Sequence, residues 1–191
     1  MNRITWCKFI LLMTDLSVLF SSLFIAYDVL DIARNGHFYF PLEEFDIYVL
    51  IHACISIVGV LWFWIRLRHY TYRKPFWFEL KEIFRTLVIL FIIELAIVAF
   101  SRLYVSRYFW SITWCCIFVL LPFARAMVKK LLIKTGMYLK ETIIIGNGRN
   151  AKEVFDALNN ESYLGFDIKL FVTTEDYDLE FIEGSPVIRH K

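Results

Sequence analysis

Apolar residues in this chain gather into four long runs, and each is long enough for a membrane crossing, which takes about 20 mostly apolar residues. The first covers 9–30 (FILLMTDLSVLFSSLFIAYDVL), the second 47–65 (IYVLIHACISIVGVLWFWI), the third 86–105 (TLVILFIIELAIVAFSRLYV) and the fourth 108–127, with Pro122 near its end. The first is too long for the apolar region of a signal peptide, and no small-residue cleavage site follows it, so it reads as an anchor. After Lys140 the rhythm changes to short elements. Thr142–Ile145 reads as a buried strand, 151–158 as a helix and 167–173 as a second strand, and Gly184-Ser185-Pro186 reads as a turn into a third.

The charges orient this arrangement, because short cytoplasmic loops of membrane proteins carry the excess of Lys and Arg. The segment between the first two runs has Arg34 against Asp31, Glu43, Glu44 and Asp46, and is predicted to lie outside. The next loop carries Arg66, Arg68, Arg73, Lys74, Lys81 and Arg85, and the stretch after the fourth run carries Arg125, Lys129, Lys130, Lys134 and Lys140. Both are predicted to be cytoplasmic, as are both termini. Trp62, Trp64, Tyr70, Tyr72, Trp77 and Trp110 fall near the predicted helix ends, where amphipathic rings favour the membrane interface. Composition agrees: 59% of the 191 residues are hydrophobic, 18% aromatic and 21% charged. The net charge of +2 divides into +7 for residues 1–140 and −5 for the rest, which excludes a disordered chain and a strongly basic nucleic-acid binder. Cys7, Cys54, Cys115 and Cys116 sit in or beside apolar runs without metal-ligand spacing, and read as small apolar residues.

Two carboxylates fall inside predicted crossings. Asp15 and Glu94 each lie about 6 to 8 residues past the entry of a helix running outward, roughly 9 to 12 Å deep, so they are placed in one layer. An intramembrane carboxylate is a functional candidate. The plainer reading hydrogen-bonds each to neighbours such as Thr14, Ser17, Ser22 or Thr113, holding helices together. His52 is read as making a helix-to-helix hydrogen bond, since the sequence offers no second metal ligand. The loop RLRHYTYRKPFWFELKEIFR alternates cations with aromatics and turns at Pro75 into an apolar stripe of Phe76, Trp77, Leu80, Ile83 and Phe84, with Glu79, Lys81, Glu82 and Arg85 opposite. This predicts an amphipathic interfacial helix near 75–85. Arg66, Arg68, Arg73 and Lys74 are placed at lipid phosphates, worth about 1 kcal/mol each, with Trp77 at the interface.

Beyond Lys140, the strand runs into Gly146-Asn147-Gly148-Arg149-Asn150-Ala151, the G-x-G-x-x-A fingerprint between a strand and a helix. Gly146 and Gly148 would permit a tight turn and close approach of a phosphate, Ala151 the packing of helix on strand, and Glu175 or Asp176 would accept from a ribose hydroxyl. The same turn also serves as a plain strand-to-helix connection, and about 50 residues make only half of a nucleotide-binding fold. The predicted fold class is thus an α-helical membrane protein with four transmembrane helices, followed by an incomplete Rossmann-like α/β unit. Residues 1–130 form the transmembrane domain, 131–140 a basic connector and 141–191 the cytoplasmic partial Rossmann-like domain.

The Tyr-x-x-Arg-Lys-Pro-Phe-Trp-x-Glu-Leu run at Tyr70–Leu80, the four crossings and the Gly146–Ala151 turn together resemble the N-terminal part of the large polyprenyl-phosphate hexose-1-phosphate transferases, the undecaprenyl-phosphate galactose phosphotransferase family. The resemblance covers essentially the whole chain. It implies transfer of a sugar 1-phosphate from a UDP-sugar to undecaprenyl phosphate, with magnesium, at the bacterial inner membrane, as the first step of O-antigen, capsule or exopolysaccharide synthesis. In that family the chemistry lies in a separate C-terminal domain with a re-entrant helix and an Asp-Glu pair. No residue here matches that pair, so no catalytic residue, metal site or cofactor is assigned to this chain.

The expectation is therefore a membrane-anchoring and regulatory portion, truncated and not catalytic alone. Its expected partners are membrane lipid, undecaprenyl phosphate among them, and a second copy or a separate catalytic chain, with no nucleic acid. Membrane-bound nucleotide-sugar dehydratases share the layout and stand as an alternative. A nucleotide-sensing channel or transporter is a further one, which would need a selectivity element or paired helix interruptions that the sequence does not display.

Overall fold

In the computed structural model, residues 3–33, 42–101, 105–146, 148–173, 181–182 and 185–189 are described. The chain divides into two compact units, Met1–Lys129 and Lys130–Lys191.

The first unit is built from four helices: α1 (Arg3–Ala33), α2 (Leu42–Leu61), α3 (Phe76–Ser101) and α4 (Arg107–Lys134). All four are long and apolar enough to cross a membrane, α2 together with the π-helical turn Trp62–Arg66 that extends it. Each is apolar over most of its circumference, as a lipid-surrounded helix must be. Large side chains accordingly point outward as well as inward; Phe100 and Val119 are exposed while Leu23, Leu87 and Leu121 are fully buried. At one end of the bundle Leu23, Ala26, Leu30, Tyr48 and Phe109 form a core cluster. Gly59 lets α2 lie close to α3, since a Cβ there would come within 2.7 Å of Leu90 Cδ1.

Residues 76–85 are helical and lead without a break into the third apolar run, as the opening turns of α3. One expectation changes here: the inward face differs, because Glu79, Ile83, Thr86, Leu87, Leu90 and Glu94 are the buried positions, while Trp77 and Phe78 point out. The reason lies on α4, where Arg125 and Lys129 are buried and demand a carboxylate opposite them.

In the second unit, β1 (Lys140–Ile145), β2 (Phe166–Thr173) and β4 (Ser185–Arg189) are parallel neighbours, and β3 (Phe181–Ile182) adds a short antiparallel edge, giving the order β1-β2-β4-β3. Helix α5 (Arg149–Asn160) packs Ala151 and Phe155 against Ile144, Ile168, Phe171 and Val187. Along β1, Ile144 points into this core while Ile143 and Ile145 are exposed, the alternation that a strand imposes.

Candidate functional site

The densest polar constellation lies where the 67–75 loop joins α2 to α3. Asp15 on α1, Glu79 in the first turn of α3, and Arg125 and Lys129, one turn apart on α4, are all buried. Arg125 grips Asp15 with two arms: Nε donates to Oδ1 at 2.7 Å and NH2 to Oδ2. Its NH1 donates to Glu79 Oε1 at 3.1 Å and to His69 Nδ1 at 2.6 Å. Lys129 donates to the other Glu79 oxygen, and Tyr70 OH donates to Asp15. Glu82 completes the group, accepting from His69 Nε2 at 2.8 Å and from Lys74. Three carboxylates thus meet three cations, a balance that a buried site requires because an unpaired ion there costs several kcal/mol.

The balance fixes the state of His69. A guanidinium only donates, so Nδ1 is the acceptor and the proton sits on Nε2, pointing at Glu82. Burial, then the positive charges of Arg125, Lys74 and Lys129, push the His69 pKa down to about 2. Burial and the Asp15 carboxylate likewise hold the Tyr70 phenol above its ordinary range, so it remains a donor.

A pH dependence follows. Between about pH 6.5, where an unfolded imidazole titrates, and about pH 2, the unfolded chain binds a proton that the folded chain refuses. Stability is therefore complete above pH 6.5 and declines below it by about 1.4 kcal/mol per pH unit. Going from pH 7 to pH 5 should cost the wild type about 2 kcal/mol through this residue, and His69→Gln should lose that part of the slope. Thermal unfolding of the solubilised chain at the two pH values checks it.

Local backbone features place these groups. The π turn rotates Phe63 inward, where it stacks on His69 with centroids 5.4 Å apart and lies 4.5 Å beneath the Arg125 guanidinium. Arg68 takes a left-handed conformation (φ 52°), costing about 1 kcal/mol, and its carbonyl accepts from both Thr71 N and Tyr72 N at 2.9 Å. Its side chain turns outward over the Tyr72 ring.

Of the lipid-contact candidates, Arg66, Arg68 and Trp77 are exposed, and Arg73 is half-buried. Lys74 is corrected, since its ammonium is held by Glu82. Tyr70 leaves the predicted interfacial set, buried on Asp15, while Trp110 lies half-buried in the first turn of α4, packed against Phe91 at 4.4 Å.

A second constellation surrounds Glu94, which is fully buried. Tyr48 OH donates to Oε1 at 2.7 Å, His52 Nδ1 lies 3.1–3.2 Å from both oxygens, and His52 Nε2 donates to the Leu19 carbonyl at 2.9 Å. Because a carbonyl only accepts, Nε2 carries a hydrogen, and a single proton is left between Nδ1 and the carboxylate. The pair is neutral as a unit whichever atom holds that proton. Asp15 and Glu94 therefore belong to separate clusters with their own partners. The proposed hydroxyl partners are elsewhere: Thr14, Ser22 and Thr113 donate back to Ile10, Leu19 and Phe109 carbonyls of their own helices.

In the second unit, Gly146 has φ 124° and its N–H donates to Val172 O, a conformation that favours glycine. Gly148 precedes α5 with extended backbone, and a Cβ there would meet no atom within 4 Å. Internal packing therefore does not require glycine at 148, whereas Ala151 is buried against the sheet. Glu175 and Asp176 lie outside the described residues, as do Asn147 and Arg34. Among the described residues, no three His, Cys, Asp or Glu side chains come together in a group that could hold a metal ion.

Sequence reasoning missed Glu79, His69, Arg125 and Lys129 as one site. The signal was present: two cations at i, i+4 in an apolar helix and one glutamate amid a stripe of large apolar residues must find each other if buried.

No model of a known protein family matches the chain. Individual proteins do. It is 50% identical over 177 residues, 92% of its length, to an uncharacterized sugar transferase of Haemophilus influenzae. It is 46% identical over 187 residues, 96% of its length, to an undecaprenyl-phosphate galactose phosphotransferase of Salmonella typhimurium. The chain is homologous to these sugar transferases. A UDP-galactose-lipid carrier transferase of Erwinia amylovora is similar over 79% of the chain at 43% identity. The chain spans only 32–38% of the length of these three relatives. Its four apolar helices make it a multi-pass membrane protein.

Proposed function

We propose that this chain forms the membrane-anchoring and regulatory portion of an undecaprenyl-phosphate sugar-1-phosphate transferase of bacterial polysaccharide synthesis. The observation that carries the reading is the 46% identity, across nearly the whole chain, to the Salmonella protein named for that activity. In this reading the transfer step belongs to the part of the relatives' length that this chain does not match, as the family resemblance implies. The distribution of Lys and Arg supports an inner-membrane placement with both termini cytoplasmic. The parallel β1-α5-β2 unit and its glycine turn support a Rossmann-like second domain, with Gly146 and Gly148 at a nucleotide phosphate, Ala151 packing the helix on the strand, and Glu175 or Asp176 at the ribose.

Two measurements test the reading. Membranes holding this chain alone are expected to transfer no labelled hexose phosphate from UDP-hexose to undecaprenyl phosphate. A chimera carrying this chain in place of the matching region of the Salmonella relative is expected to transfer it. Activity of the chain alone, or an inserted and folded chimera without activity, overturns the proposal.

In this reading the exposed Arg66 and Arg68 meet lipid phosphates at about 1 kcal/mol each. Arg66→Gln with Arg68→Gln should weaken binding of anionic lipid to the detergent-solubilised chain roughly 30-fold. Lys74→Gln should do much less, since Glu82 already neutralises that ammonium. Titration of the solubilised chain with short-chain anionic lipid measures both.

A further inference from the structure

Helix α1 carries an apolar furrow on its outward side. Trp6, Phe9 and Met13, all exposed, bound an open space of about 460 Å³ over Ile10, Thr14 and Ser17. Ser17 is shared with a second furrow of about 340 Å³ that continues between Phe20 of α1 and Ala53 and Ile57 of α2. From Trp6 to Phe20 the two together run about 21 Å along the helix, at about 1.5 Å per residue. The wall is mostly hydrocarbon. Thr14 Oγ1 already donates to the Ile10 carbonyl at 2.8 Å, and Ser56 Oγ is sealed beneath the surface, so the furrow asks its occupant for packing and not for hydrogen bonds.

The head of the furrow has the opposite character. Arg3 opens α1 on the same stripe, since positions 3, 6, 10, 13 and 17 recur at the three-and-four spacing that lines one helix face. Arg73 reaches this end of the helix from the 67–75 loop, because the charges of both guanidiniums act on the thiol of Cys7, one turn along from Arg3. Arg3 is exposed and Arg73 half-buried. Two guanidiniums above an apolar furrow match a lipid whose single long chain ends in a phosphate monoester. Such a group carries about −1.5 to −2 charges near pH 7, and guanidinium takes phosphate oxygens through paired N–H donors. A glycerophospholipid would instead bring one phosphodiester charge and two chains to a site that offers two cations and one furrow. Because the surrounding lipid tails are as apolar as the furrow, the phosphate supplies the affinity and packing along the helix selects the chain.

We propose that this furrow is a docking site for a polyprenyl monophosphate, with Arg3 and Arg73 on the phosphate and the isoprenoid chain lying along Trp6, Met13 and Phe20. In the transferase reading it keeps acceptor lipid beside the anchor, outside the part that performs transfer. The identity of the lipid rests on that reading, whereas the preference for one long chain with a monoester head rests on the furrow and its cations.

The test uses the full chain purified in detergent and a polyprenyl monophosphate that bears a photoreactive group on its chain. Label should map to residues 6–20 of α1 and 53–57 of α2, in preference to the exposed face of Val119, Phe123 and Met127 on α4. Arg3→Gln with Arg73→Gln should weaken binding roughly 30-fold, and Arg3→Gln alone, at an exposed position that leaves the core untouched, about fivefold. Ser17→Phe, which fills the furrow from its exposed floor, should cut the preference for polyprenyl over straight-chain alkyl monophosphate about threefold, the loss of a handful of van der Waals contacts. The matching polyprenol, inorganic phosphate and phosphatidylglycerol should each compete poorly. Label spread evenly onto α4, binding unaltered by Arg3→Gln, or equal competition by polyprenol or phosphatidylglycerol would each overturn the proposal. An active Salmonella chimera whose α1 takes no label would refute this site and leave the transferase reading standing; a labelled α1 in an inactive chimera would do the reverse.

Discussion

Arg125→Met is expected to destabilise the helical unit by about 3–5 kcal/mol, the cost of leaving buried charges without their partner. Arg125 serves Asp15 through two nitrogens and reaches Glu79 and His69 through a third, so one substitution strands three groups from three other segments. Removing the stranded charge should restore much of the loss. Asp15→Asn combined with Arg125→Met is therefore expected to be more stable than Arg125→Met alone, although each single change is harmful. Arg125→Lys should fall between, because an ammonium preserves the charge but cannot span Asp15, Glu79 and His69 with a planar fork. Thermal unfolding of the four variants in one detergent measures the cycle. A stability change below about 1 kcal/mol for Arg125→Met would show that the cluster is not held as described.

The second large effect is an asymmetry at His52 and Glu94. Glu94→Gln should cost less than about 1 kcal/mol, because the amide can donate to His52 Nδ1 and accept from Tyr48, reproducing every hydrogen bond of the neutral pair. His52→Leu should cost about 3–5 kcal/mol, since it leaves a fully buried carboxyl group with Tyr48 alone. Replacing both with leucine should return most of that loss, as the apolar pair has no charge to satisfy. Unfolding measurements on the three variants decide the matter. Equal and severe losses from Glu94→Gln and His52→Leu would rule out a single shared proton. The two buried clusters are separate, so a variant in one should add its cost independently to a variant in the other.

How much of this was legible beforehand differs from residue to residue. The four crossings are visible because a run of about 20 apolar side chains has few alternatives to a membrane helix. The β1-turn-α5-β2 succession is visible because glycine punctuates it and short alternating runs frame it. Asp15 and Glu94 declare themselves as charges inside apolar runs. Lys74 and Tyr70 were misplaced because a cation or an aromatic near a helix end has a sound interfacial reading, and only the position of Glu82 and Asp15 overrides it. Glu79 was misplaced for a related reason. On a helix whose sides are all largely apolar, periodicity does not single out an inner face, so a lone carboxylate was assigned to the solvated side.

By its sequence alone the chain determines which segments enter a membrane, where the charge is concentrated, and that a parallel strand-helix unit follows, because each depends on the local spacing of apolar residues, cations and glycines. Tertiary structure alone decided the pairing. Arg125 and Lys129 look like anchoring cations until α1, α3 and the 67–75 loop bring Asp15, Glu79 and His69 against them, and the helix-to-helix hydrogen bond expected of His52 gains its partners, the Leu19 carbonyl and Glu94, only in the folded bundle. Electrostatic energy in a low-dielectric interior depends on separations of a few ångströms between residues 40 to 110 positions apart, and linear spacing carries no record of those distances.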